Sequence, residues 1–188
     1  MTEPVASSIP AGANDSMAGR SLAGVAGIRE REQFGADELA VVLSHYDLGA
    51  VESAVEFPRG SRKAPKMLIT AERGKFLLKR RARGRDEPQK VAFTHALQLY
   101  LTTKGFPLAH LIGTRQHNNS MLQVLGGVYE LFEFIGGQSY PHTLEATHDS
   151  GRVLATFHKL LTDFRTEWRP GTGTWCGCGR TGAATGTT

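Results

Sequence analysis

The chain has 188 residues, of which 40% are hydrophobic and 21% charged, values that allow one globular domain and exclude a wholly disordered chain, a collagen-like repeat or two large lobes. Its net charge of +4 is unevenly placed, because residues 59–90 hold twelve of the 22 Lys and Arg but only three of the 18 Asp and Glu. We expect this segment, with a charge of +9, to give the domain one face that attracts anions.

Residues 1–35 are rich in Ala, Gly, Ser and Pro and have no sustained apolar period, so we predict a disordered N-terminal tail. They lack the pattern of a signal peptide, and no apolar run in the sequence is long enough to span a bilayer. We therefore expect a cytoplasmic protein with no membrane partner.

The segment after this tail predicts a short amphipathic helix and three strands. Asp37 can cap a helix whose apolar residues follow the i, i+3, i+4, i+7 pattern up to Tyr46, and Gly49 suits the position after its end. Strands are predicted at 51–57, 66–70 and 75–80, with turn sequences between them, and they should form an antiparallel meander.

The next segment predicts a helix and a hairpin. Asp86-Glu87-Pro88 opens the helix and Lys104-Gly105 closes it. Strands at 120–124 and 128–134 are joined by Gly126-Gly127, whose glycines can supply the positive φ of a tight turn. The predicted fold class is α+β, with a five-stranded antiparallel sheet and one packed helix.

Beyond the hairpin the apolar period changes. Thr143 can cap a further amphipathic helix, and residues 136–164 are predicted to be a linker with this helix. Residues 165–188 become a Gly- and Thr-rich run, which predicts a second disordered tail. Cys176 and Cys178 in this tail show neither a disulfide framework nor the C-x-x-C spacing of a zinc site.

Lys79 ends the apolar run Phe76-Leu77-Leu78 of the third predicted strand. A lysine in that place needs an anionic partner, because burying a lone charge is costly. The alternative is that Lys79 belongs to the basic run 79–85, with its stem on the sheet and its charge in water.

Three local sequences, in their order and spacing, resemble the first half of the aminoglycoside phosphotransferase and choline kinase-like superfamily, with its spore-coat and homoserine-kinase branches. They are Tyr46-Asp47-Leu48-Gly49 followed by Arg59-Gly60-Ser61, then Gly74-Lys75-Phe76-Leu77-Leu78-Lys79, and then Gly151-Arg152-Val153-Leu154-Ala155-Thr156-Phe157-His158. The resemblance implies a protein-kinase-like N-lobe at 36–135, followed at 136–164 by a hinge and the first helix of an incomplete C-lobe.

The resemblance implies that the chain is the ATP-binding lobe of a phosphotransferase acting on a small-molecule hydroxyl. Lys79 would hold the α- and β-phosphates of ATP. Gly60 and Ser61 would form the turn over the phosphates, with an ordinary hairpin turn as the alternative. The resemblance leaves the acceptor open among aminoglycoside, choline, homoserine and sugar.

The resemblance also implies a hinge at the end of the fifth strand. Backbone groups of Phe132, Glu133 and Phe134 would meet the adenine edge. Apolar side chains, among them Ile69, Phe76 and Leu131, would enclose the ring. A β-rich core without a ligand would show the same residue types, so these assignments rest on the resemblance.

Two features depart from the family. The helix between Glu87 and Lys104 contains no Asp or Glu to pair with the strand lysine, and His95 takes the matching position. We therefore expect that ion pair to be missing or remade. After His158 the sequence contains neither the His-Gly-Asp catalytic loop nor the Asp that binds the Mg²⁺ expected for the family. We expect a truncated or frameshifted phosphotransferase that is inactive or nearly so.

Two other functions stay open. A nucleic-acid or polyanion-binding module could use residues 79–85 as its contact strip, although no nucleic-acid-binding motif accompanies them, and we do not expect nucleic acid as a partner. A pseudokinase-type domain could instead bind a protein partner without catalysis.

Overall fold

The computed structural model describes residues 31–169, which form a five-stranded sheet and three helices. Residues 1–30 and 170–188, which hold most of both predicted tails and both cysteines, lie outside the described residues. The elements in chain order are α1 (Ala36–Leu43), β1 (Val51–Glu56), β2 (Lys66–Ala71), β3 (Gly74–Arg80), α2 (Pro88–Thr103), β4 (Leu122–Val124), β5 (Gly127–Glu133) and α3 (Leu144–Leu161).

The sheet has the strand order β1-β2-β3-β5-β4, and every neighbouring pair is antiparallel. The predicted α+β class, the meander and the hairpin are therefore confirmed. In this register Lys79 of β3 lies opposite Lys66 of β2 on one side and Glu130 of β5 on the other. Because directly paired residues share a face, these three side chains lie on the same side of the sheet.

The opposite face of the sheet forms the hydrophobic core with α1 and the segment that follows it. Val42 of α1 and Leu78 of β3 are completely buried there. Ile69, Phe76 and Leu131 belong to the same core cluster. The expectation that these three residues enclose an adenine ring is wrong, because the alternation of side chains along a strand points them away from the face of Lys79.

The face that carries Lys79 is partly covered by α2, and α3 packs against α2 in turn. The ring centroids of Phe106 and Phe157 are 5.6 Å apart, and those of Tyr100 and Phe164 are 5.3 Å apart. The hydroxyl of Tyr100 donates a 3.1 Å hydrogen bond to the carbonyl of Leu160. None of the helices within residues 31–169 combines the length and the apolar character that crossing a membrane requires.

The N-cap of α3 is the residue predicted from the sequence, whereas the N-cap of α1 is a different residue. Thr143 caps α3 as predicted, and its Oγ1 accepts the N–H of Ala146 at 3.2 Å. The N-cap of α1 is Gly35 rather than Asp37, and the Glu38 carboxylate accepts the Gly35 N–H at 3.2 Å. Asp37 lies instead in the first turn, where its charge interacts favourably with the helix dipole.

The hairpin between β4 and β5 turns at Leu125 and Gly126 rather than at Gly126 and Gly127. Leu125 and Gly126 have φ values of 52° and 67°. Gly127 already belongs to β5, and a Cβ atom there would lie 3.2 Å from the ring of Tyr129. The second glycine therefore provides space for an aromatic ring, and a leucine takes up the positive φ.

Replacing Leu125 with Asn should stabilise the fold by about 0.5–1 kcal/mol, since a left-handed backbone costs an ordinary L-residue roughly 1–2 kcal/mol and asparagine tolerates it better. The Asn-Gly sequence is also the favoured one for such a turn. Urea unfolding measures the difference. Leu144→Asn is the control, because Leu144 is equally apolar, 86% exposed and outside the positive-φ positions. A destabilised Leu125→Asn variant would show that apolar contacts of Leu125 outweigh its backbone strain.

Candidate functional site

A fully buried carboxylate, that of Glu130 in β5, binds three basic side chains on the sheet face opposite the core. Nζ of Lys79 lies 3.0 Å from its Oε2. At Oε1, Arg81 donates a 2.5 Å hydrogen bond from Nη2, and Nε2 of His95 lies 2.6 Å away. The Lys79 contact is an ion pair rather than a directed hydrogen bond, because Oε2 meets no donor in hydrogen-bond geometry among residues 31–169.

Two strands and a helix bring these groups together. The register of β3 and β5 places Lys79 directly opposite Glu130. Arg81 follows two residues later on the same side of the chain, and its N–H donates to the carbonyl of Val128 at 2.8 Å. His95 reaches Glu130 from α2. Because Glu130 without these partners would be an uncompensated buried charge, the cluster depends on the sheet and the helix together.

Glu130 is ionised because its neighbours outweigh its burial. Burial by itself raises the pKa of Glu130, but hydrogen bonds from His95 and Arg81, and the charges of Lys79 and Arg81, lower this pKa from the ordinary value of 4.5 to about 2. The two cations Lys79 and Arg81 exceed the single carboxylate by one positive charge. The cluster therefore keeps a charge that favours an anionic ligand.

His95 stands in α2 where the family resemblance would place an acidic residue. Its Nδ1 lies 2.8 Å from Oγ of Ser120, and its Nε2 faces Glu130. Because an ionised carboxylate can only accept, Nε2 carries the proton that points to Glu130, and Nδ1 is left to hydrogen-bond with the Ser120 hydroxyl. The ion pair of the strand lysine is thus remade with an acid from β5, and His95 fixes the position of that acid.

Glu130 is a site residue that was not predicted from the sequence. The sequence does carry a signal, because Glu130 is a charged residue between the apolar Tyr129 and Leu131 of a predicted strand. Its partner could not be read from that pattern, however. The pairing of Glu130 with Lys79 depends on the register of two strands that a helix and a long loop separate in the chain.

An apolar cavity of about 360 Å³ opens on the same face as Lys79. Nζ of Lys79 lies 6.0 Å from the ring centroid of Phe132, and this ring also lines the cavity. The aromatic and aliphatic walls, and a volume within the usual range for small-molecule sites, suit a flat apolar ligand group. The lining residues are Phe57, Leu77, Gln98, Ala109, Phe132, Glu133, Phe134 and Ile135.

The predicted hinge residues all line this cavity, but their backbone donors are partly occupied. The N–H of Glu133 donates to the carbonyl of His110 at 2.9 Å, and the N–H of Phe134 donates to the carbonyl of Lys75 at 2.9 Å. Phe132, Glu133 and Phe134 therefore contribute the cavity wall. Backbone N–H groups that could donate to the edge of a flat ligand would come from the following residues, beginning at Ile135.

The turn at Gly60 and Ser61 lies in the exposed loop between β1 and β2. Gly60 has a φ of 80°, which glycine adopts without strain. The hydroxyl of Ser61 accepts the N–H of Lys63 at 3.3 Å. Lys66, the strand neighbour of Lys79, donates from Nζ to the carbonyl of Arg59 at 2.8 Å and so ties this turn to β2.

The basic run 79–85 does not form one continuous contact strip. Lys79 and Arg81 turn towards Glu130, whereas Arg80 points to the other face and pairs with Glu38 at 2.6 Å. Three of the cations in the run are thus engaged by carboxylates of the protein. This arrangement does not favour the nucleic-acid-binding alternative.

A larger polar cavity of about 540 Å³ is lined by Arg80, Arg81 and Tyr129, among other residues. Its arginines are accompanied by the carboxylates of Glu32, Glu38 and Asp86, so its charges largely balance. None of the six predicted site residues lines it. We therefore place the candidate site at the smaller apolar cavity beside Lys79.

The side chains of residues 31–169 do not form a site for a resident metal ion. Within residues 31–169 no group of three His, Cys, Asp or Glu side chains is placed to hold one. Glu130, the buried carboxylate of the site, is already surrounded by basic groups.

Replacing Glu130 with Gln should destabilise the fold by about 3 kcal/mol, because it leaves two cations facing each other in a partly buried site. Chemical denaturation at neutral pH measures the loss. Glu133→Gln is the control, since Glu133 pairs with His110 at 3.4 Å on the exposed surface and should change stability by less than about 1 kcal/mol.

The same pair of variants gives a pH test. The pKa of Glu130 is lower in the folded protein than its ordinary value, so its contribution to stability is present above pH 4.5 and disappears as the pH falls towards 2. The stability difference between the parent and Glu130→Gln should shrink over that interval. A difference independent of pH would mean that Glu130 does not act as an ionised group.

Comparison with known proteins places this geometry in a family. Residues 54–184 match the model described as the phosphotransferase enzyme family. An aminoglycoside phosphotransferase from Alicyclobacillus acidocaldarius is similar in structure, with a TM-score of 0.52 and 22% identity over 69% of this chain and 37% of that chain. The amicoumacin kinase hAmiN, solved in complex with AMP-PNP, Ca²⁺ and Ami, has a TM-score of 0.58 and 13% identity over 71% of this chain and 42% of that chain.

No curated protein matches the sequence. The chain spans less than half the length of either of the two solved structures, and these similarities establish the kinase-like N-lobe fold. The family match begins in β1 and extends into the segment that we predicted to be a C-terminal tail. Because this match covers more than half of the chain, the protein belongs to the phosphotransferase enzyme family.

Proposed function

We propose that this chain is the nucleotide-binding lobe of an ATP-dependent phosphotransferase, with Lys79 as its phosphate-binding residue. The observation that carries the proposal is the position of Lys79. Its ammonium is held 3.0 Å from a buried carboxylate, and a ring of the adjacent apolar cavity lies 6.0 Å away. A fixed cation beside an apolar cavity suits a ligand that joins a flat ring to a chain of anionic groups.

The charge balance supports a phosphate at Lys79. In kinases the strand lysine lies between an acidic residue and the α- and β-phosphates of ATP. Here Glu130 supplies the acid, and Arg81 adds a second cation to it. The surplus positive charge would be neutralised by phosphate oxygens. Gly60 and Ser61 would lie over these phosphates, as the family resemblance implies.

The apolar cavity would hold the adenine ring. Leu77 and Phe132 pair across β3 and β5 and would contact the face of the ring. Phe134 and Ile135 would enclose the edge nearest the end of β5. Because the N–H groups of Glu133 and Phe134 already donate to protein carbonyls, we assign the hydrogen bonds with the adenine edge to backbone groups from Ile135 onward.

We expect this chain to bind a nucleotide and to carry out little or no phosphoryl transfer. Transfer requires a positioned base and metal ligands that stabilise the developing charge, and the 188 residues contain no His-Gly-Asp sequence to supply them. The family resemblance supports a small-molecule hydroxyl as the phosphate acceptor, as in full-length members of the family. ATP is the proposed cofactor, and the proposed partners are a nucleotide and this small molecule.

Replacing Lys79 with Ala should remove most of the thermal stabilisation by ATP. Ligand at 100 times its Kd stabilises a folded protein by about 2.7 kcal/mol, which a melting-temperature titration detects readily. Each shift is taken relative to the same variant without ligand, so a change in basal stability does not affect the comparison. ATP is titrated both with and without added Mg²⁺.

Lys159→Ala is the matched control, because it removes one lysine charge from the exposed surface of α3. It should keep the full ATP-dependent shift. Equal shifts in the parent, Lys79→Ala and Lys159→Ala would remove the proposed phosphate role of Lys79.

A further inference from the structure

Lys66 is a second lysine on the face of the sheet that carries the candidate site. It is the first residue of β2 and lies directly opposite Lys79 in the β2–β3 register. Like charges at directly opposed positions destabilise a sheet. Lys79 is compensated by Glu130, whereas the hydrogen-bond partners found for the Lys66 ammonium are the carbonyl oxygens of Arg59 and Ala64, at 2.8 and 3.4 Å.

The ammonium of Lys66 lies in a positive environment. Burial lowers the pKa of Lys66, and the charges of Lys79 and Arg31 lower it further. A carbonyl oxygen offers a partial charge and cannot neutralise an ammonium. An anionic group placed between Lys66 and Lys79 would relieve the repulsion of both cations at once.

The loop geometry places the same ammonium under the turn at Gly60. A Cβ atom at Gly60 would lie 3.1 Å from Nζ of Lys66, so a larger residue would crowd it. The hydrogen bond from Nζ of Lys66 to the carbonyl of Arg59 holds this turn against β2. Lys66 therefore lies between the turn at Gly60 and Lys79, the two features that we assign to phosphate binding.

We propose that Lys66 is a second phosphate-binding residue and makes the site select nucleoside di- and triphosphates over nucleosides. This inference rests on the proposed function and adds a specificity residue to it. Lys79 holds the phosphates at the sheet, and Lys66 contacts the phosphate oxygens that lie under the β1–β2 turn. The ligand class is a nucleoside polyphosphate, because two lysines and the surplus charge beside Glu130 suit several anionic groups in a row.

The test is a calorimetric titration of the full chain and its variants with ATP, ADP and adenosine. Lys66→Gln should weaken ATP and ADP binding about tenfold, the usual loss for one charge-assisted hydrogen bond, and leave adenosine binding unchanged. Lys66→Arg, which keeps the charge, should retain most of the preference for ATP. Lys63→Gln removes a charge from an exposed position of the same loop and should bind all three ligands like the parent.

The outcomes separate this inference from the proposed function. If the parent binds ATP and Lys66→Gln binds it equally well, Lys66 is a structural tie for the loop and the inference is wrong. Equal weakening of ATP and adenosine in Lys66→Gln would also overturn it, because a displaced loop and not a lost phosphate contact would then be responsible. A parent chain that binds neither ATP nor adenosine would overturn the proposed function, and the inference with it.

Discussion

The ionised side chain of Glu130 is the constraint on which the site depends. A fully buried carboxylate is stable only when it is paired and hydrogen-bonded. Glu130 meets this requirement with Lys79 from β3, Arg81 just beyond β3, and His95 from α2. One side chain thus joins two strands and a helix, and it fixes the direction in which Lys79 presents its ammonium.

The two faces of the sheet differ in character. One face is apolar and packs with α1 and the segment after it, where Val42 and Leu78 are completely buried. The other face carries the Glu130 cluster and the apolar cavity at Phe132. This division follows from the alternation of side chains along each strand, which places Leu78 and Lys79 on opposite sides although they are neighbours in the chain.

The chain departs from its family in the element that supplies the acid. Kinases pair the strand lysine with an acidic residue of the following helix. Here that helix offers His95, and the carboxylate comes from Glu130 on the strand beside Lys79. The physical requirement is unchanged, because a lysine on an apolar strand needs an anion to hold it. Only the paired strands reveal that this anion exists, since Glu130 and Lys79 are far apart in the sequence.

The sequence by itself determined the features that local patterns encode: the α+β class, the five strands, the cap at Thr143 and a lysine at the end of an apolar strand. It also carried the family resemblance. The phosphate and adenine roles of the site residues stay predictions. Tertiary structure alone decided the pairing of Glu130 with Lys79 and the burial of Ile69 in the core rather than at the site. The physical reason is that propensity and periodicity act over neighbouring residues, whereas strand register and the choice of the covered face depend on contacts between distant segments.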